Sequence, residues 1–60
     1  MSQISNNFYN HSDAMAAAQR IANDRRGTVY LVQDKDTPGQ PWSVHTVAPK
    51  NQPSKRVLPD

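Results

Sequence analysis

Two histidines, five aspartates and the serines next to the histidines are the residues through which this sequence could move protons or hold a metal. A hydroxyl nucleophile needs an imidazole base within hydrogen-bond reach and a carboxylate to orient that base, and Ser12 or Ser43 with His11 or His45 supply the residue types. Their spacing does not supply the geometry. Neither histidine has a second ligand three or four residues away on a helix, and His45 reads as a strand histidine facing solvent. The run D-K-D-T-P-G puts Asp34, Asp36 and Gly39 at positions one, three and six of a calcium loop. Pro38 then fills the fifth position, where an oxygen-bearing side chain is preferred, and His45 the twelfth, where a bidentate Glu belongs, so the run reads as a plain turn. There is no cysteine, which removes thiol nucleophiles and Cys-based zinc sites. Gly27 and Gly39 are the only glycines and neither opens a helix, so there is no phosphate-cradling loop. These residues lead to the expectation of no catalysis, no metal and no cofactor.

The remaining chemistry is cationic. Arg20, Arg25 and Arg26 gather at one end of a helical run, and Lys50, Lys55 and Arg56 lie near the C-terminus. With Tyr30, Phe8 and Tyr9 to stack bases, these groups permit direct nucleic-acid binding. A net charge of +2, however, neutralises few phosphates and gives a shallow salt dependence. The favoured reading is a charge pair at the helix C-terminus plus a solvating tail, with direct nucleic-acid binding as the alternative; the same tail could instead rest on an acidic protein segment.

These side chains need elements to hold them. From Ser12, a good N-cap followed by Asp13 at the positive end of the dipole, the run to Arg26 contains no Gly, Pro or aromatic residue and predicts a helix. At 100° per residue, Ala14, Ala17, Ala18 and Ile21 form one stripe flanked by Met15 and Ala22, with Met15 and Ile21 expected to supply most of the buried volume. Gly27 is expected as the left-handed C-cap. Thr28 to Gln33 and Trp42 to Val47 are β-branched and aromatic, and Pro38-Gly39 between them suits a type II turn, which predicts an antiparallel hairpin. Alternation assigns Val29, Leu31, Trp42 and Val44 to the helix side. It leaves Tyr30, Val32, His45 and Val47 as a strip on the open side.

The fold expected is α+β: one amphipathic helix on a two-stranded antiparallel hairpin, with Phe8-Tyr9 a candidate third, N-terminal strand. Residues 1–11 read as a flexible lead-in and 12–47 as the domain. Residues 48–60, with three prolines and no periodicity, read as a disordered basic tail. Sixty residues bury only about 60 % of the surface of the unfolded chain, so the domain should be marginally stable, as a monomer or weak homodimer. No apolar run nears the ~20 residues of a membrane span. The start, MSQISNNF, lacks the basic and apolar regions of a secretory signal. The location expected is cytoplasmic, with no membrane contact.

A domain too slight to enclose a reaction centre works from its outside. The strip Tyr30, Val32, His45 and Val47, the arginines Arg20, Arg25 and Arg26, and the basic groups Lys50, Lys55 and Arg56 are the expected partner-binding residues, by β-augmentation or dimerisation at sheet edges.

The span Ser12 to Val47, reading S-D-A-x-x-A-A-x-x-I-A, then G-T-V-Y-L-V and W-S-V-H-T-V, resembles the small helix-then-hairpin proteins that bacteriophages encode to take over their hosts. The resemblance implies a non-enzymatic inhibitor acting in the bacterial cytoplasm on a host regulator. That regulator would be a nucleoid-associated protein of the H-NS or MvaT kind, or the transcription machinery. Anti-CRISPR inhibitors share this size class.

Overall fold

A computed structural model describes residues 3–34, 37 and 39–60. The chain forms helix α1 (His11–Arg25) and strands β1 (Val29–Gln33), β2 (Trp42–His45) and β3 (Ser54–Val57), with β1 central in an antiparallel sheet of order β2-β1-β3. The α+β arrangement of one helix on an antiparallel sheet is the one expected, but the sheet has a third strand and it comes from the C-terminal side. Residues 54–57, expected in a disordered tail, pair with β1 in the register Val29↔Val57 through Val32↔Ser54. The residues after β3 are also held: Gln19 Nε2 donates to Leu58 O at 2.8 Å, and the Asp60 N–H donates to Asn23 Oδ1 at 2.8 Å.

Helix α1 lies on the sheet through alanine. Ala14, Ala18 and Ala22 are fully buried and pack with Val29, Leu31, Val44 and Val57, while Met15 and Ile21, expected to dominate, are only partly buried at the margin. The reason is distance: a methyl side chain lets the helix backbone approach the sheet closely, so strand side chains fill the layer. Asn10 stands at the N-cap in place of Ser12, in extended backbone, and its carbonyl accepts the first helical bond from the Ala14 N–H at 3.1 Å.

The C-terminus of α1 also closes one residue earlier than expected. Arg26, at φ 54°, is the left-handed residue. Its N–H donates to Asn23 O at 3.3 Å, and the Gly27 N–H donates to Ala22 O at 3.2 Å, the paired bonds of a Schellman motif. An L side chain in this region costs about 1–2 kcal/mol, which glycine avoids. Arg26→Gly is therefore expected to raise stability by about 1 kcal/mol, a thermal midpoint shift of roughly 4–8 °C for a domain this small. A lowered midpoint would count against this cap.

In the β1–β2 connection, where the type II turn is expected, Gly39 takes φ 93° and the Gln40 N–H donates to Thr37 O at 3.3 Å. The other central residue expected for that turn, Pro38, and the Asp36 of the calcium-like run lie outside the described residues. Among the described residues no helix is long and apolar enough to cross a membrane.

Strands β2 and β3 flank β1 and are both antiparallel to it, so they are parallel to each other. The chain leaving His45 beside Tyr30 must therefore cross the sheet to bring Ser54 beside Val32. Val32 and Ser43, on the face away from the helix, are 0 % and 1 % exposed. Val32, expected on the open strip, is instead buried. Val47 lies beyond the end of β2, in that crossover, and is exposed.

Candidate functional site

The sheet has two edges, and the chain treats them differently. On β2, the residues whose backbone groups point outward are Trp42 and Val44, and the N-terminal segment satisfies both. The Phe8 N–H donates to Trp42 O at 2.7 Å, the Trp42 N–H to Phe8 O at 3.3 Å, and the Ile4 N–H to Val44 O at 2.8 Å. The Val44 N–H donates to Ser5 Oγ at 2.9 Å. The segment expected to be a flexible lead-in is thus a bulged strap, bridging at Gln3↔His45 and Phe8↔Trp42.

On β3 the ladder alternates. The Gln33 N–H donates to Pro53 O at 3.0 Å, so in this register Pro53, Lys55 and Val57 turn their backbone groups toward β1. Ser54 and Arg56 turn theirs outward, where they meet no partner among the described residues. β3 is the open edge. Ser54, Lys55 and Arg56 are all exposed, and Lys55 and Arg56 make no ion pair among the described residues.

Directly opposed residues share a face. Lys55 pairs with Leu31 and lies on the helix side; Arg56 pairs with Tyr30, which pairs in turn with His45, so Arg56, Tyr30 and His45 form one row on the other face. Of the expected binding residues, then, the fold brings Tyr30, His45 and Arg56 together with Lys55 on the same edge strand. Arg20, Arg25 and Arg26 are exposed on and after the helix, and Lys50 is exposed in the crossover. Beyond the first turn of the helix an open cleft of about 240 Å³ is lined by His11, Leu31, Gln33, Trp42, Pro53, Ser54 and Lys55. His11 packs edge-on to Trp42 there, with centroids 4.8 Å apart. Sequence reasoning missed this cleft and the open edge. The one available signal was the basic Lys55-Arg56 pair between two prolines, since edge strands commonly carry such charges.

The serine–histidine reading also meets geometry. Ser43 and His45, two apart on β2 and so on one face, share a hydrogen bond of 2.9 Å between Oγ and Nε2. Ser43 is buried, at 1 % exposure. His11 is at the other end of β2, against Trp42, and among the described residues no three ligating side chains gather. Burial lowers the His45 pKa from its ordinary value, against an opposing pull from Asp34. The unfolded chain therefore binds the proton more readily. Stability should hold above pH ~6.5, the unfolded value, and fall as pH drops through the window below it. Thermal midpoints between pH 5 and 8 read this, and His45→Gln should flatten the slope. An unchanged slope in that variant would assign the effect elsewhere.

Comparison with protein-family models, curated proteins and solved structures found no match to this chain.

Proposed function

We propose that the chain is a small non-enzymatic, phage-type modulator that captures a host DNA-associated protein by β-augmentation at β3. One observation carries this reading. The protein closes the β2 edge with its own N-terminal segment and leaves β3, with outward backbone groups at Ser54 and Arg56, unpaired among the described residues. Edges that are kept from pairing are usually short, charged or covered; this one is short and charged, yet borders a cleft on one face and the Tyr30 row on the other, against which alternate side chains of an added strand would lie. The resemblance of residues 12–47 supplies the class of partner, a nucleoid-associated protein or the transcription machinery, acting in the cytoplasm of a bacterial host.

The test titrates isotope-labelled protein with a purified H-NS-type nucleoid protein, RNA polymerase and a DNA duplex. Amide shifts confined to residues 53–58 on adding one of the proteins are expected. Arg56→Pro should abolish the complex, because it removes an outward N–H and spares the ladder to β1. A saturable duplex complex weakening steeply with salt would replace this reading with direct nucleic-acid binding. Full affinity in Arg56→Pro would remove β3 from the site.

A further inference from the structure

We infer that the segment added to β3 is acidic, extended and antiparallel, with two consecutive carboxylate residues and an apolar side chain two positions after them. This rests on the edge reading above and names the partner's chemistry. The occupant's backbone must present both donors and acceptors to Ser54 and Arg56, which a strand does and a phosphate does not. Its side chains then fall by alternation. The residue opposite Arg56 lies on the Tyr30 face and the next, opposite Lys55, on the helix face; both meet exposed cations with no ion pair among the described residues, so both are acidic. The residue opposite Pro53 returns to the helix face at the cleft, which Pro53 lines together with Leu31 and Trp42, so it is apolar. The recognised sequence reads acidic, acidic, any, apolar.

Charge also decides against a second copy as the occupant. Antiparallel pairing of β3 with β3 that joins the outward groups of Ser54 and Arg56 would set Lys55 directly against Lys55 of the other copy, and like charges directly opposed are destabilising.

The probe is a capped peptide, Thr-Glu-Glu-Val-Phe-Thr. It contains no tryptophan, so the single tryptophan, Trp42, reports the cleft by fluorescence while amide shifts report the edge. Saturable binding with a change in Trp42 emission and shifts centred on residues 53–57 is expected. Lys55→Glu with Arg56→Glu should weaken it at least about tenfold and should favour the Lys-Lys version of the peptide. Lys55→Ala with Arg56→Ala, gentler to the strand, should show the same loss, and a native amide spectrum confirms folding in each variant. No saturation at millimolar peptide, equal affinity of the unaltered chain for the Lys-Lys peptide, or shifts away from β3 would overturn the inference. Concentration-dependent self-association mapped to Ser54–Val57 would assign the edge to a second copy and overturn it too. If a purified host protein binds in an Arg56-dependent way while the peptide does not, the edge reading survives and the acidic signature falls; if Arg56→Pro leaves host binding intact, the edge reading itself fails.

Discussion

Leu31→Ala is expected to leave the protein largely unfolded at 37 °C. Leu31 is the largest fully buried side chain, at the centre of β1, packed with the alanine face of α1 on one side and with Val44 and Val57 in the same layer. Removing it costs the transfer of its lost methylenes plus a cavity, about 2–5 kcal/mol. At about 0.05–0.15 kcal/mol per residue, 60 residues give a total stability of roughly 3–9 kcal/mol. One substitution therefore removes most of the margin, and no disulfide limits the loss. The alanine face sharpens the effect, because a helix already seated on methyl groups has no long side chains with which to fill the gap. Urea titration followed by circular dichroism measures it, with Leu58→Ala, at an exposed position, as the unaffected control. A Leu31→Ala midpoint within error of the parent would mean that this layer does not hold the fold.

That layer is legible in the sequence because both of its faces announce themselves locally. The alanine run from Ala14 carries a period of 3.6, TVYLVQ and WSVHTV carry a period of two, and alternation alone places Val29, Leu31, Trp42 and Val44 on the helix side. β3 carries no such signal. Only Val57 of its four residues is buried, since an edge strand half beneath a short helix needs one anchor, and its basic pair reads as a solvated tail. Missing β3 also misplaces Val32. Whether the second face of β1 is covered depends on where the chain crosses, and a hairpin without a third strand has no crossing. The shift of the cap from Gly27 to Arg26 is likewise without a local signal, since Arg26 takes φ 54° although a glycine follows it. The candidate site is legible as residues and not as a set: Tyr30, His45, Lys55 and Arg56 all stand out as binding groups, but only the register of β3 makes neighbours of them.

Deleting residues 1–9, which keeps the Asn10 cap, is expected to make the chain self-associate through β2. The deletion releases the outward N–H and C=O groups of Trp42 and Val44, four backbone groups held by Ile4, Ser5 and Phe8. At about 0.5–1.5 kcal/mol for each hydrogen bond, the loss is roughly 2–6 kcal/mol before the apolar cover of Ile4 and Phe8 is counted. The two edges would then differ in kind. β3 carries Lys55 and Arg56, which deter pairing with a copy of itself, whereas β2, W-S-V-H, carries no Lys or Arg. Sedimentation velocity over a range of concentrations should show growing oligomers for the shortened chain alone, with amide broadening centred on residues 42–45. Ser5→Ala isolates one part of this: it should destabilise the chain by about 1–3 kcal/mol, the cost of an unsatisfied buried N–H, without opening the whole edge. A shortened chain that stayed monomeric and equally stable would show that the strap does not guard β2. The choice of β3 as the docking edge would then lose its physical basis, because selectivity between the two edges rests on one being closed from within.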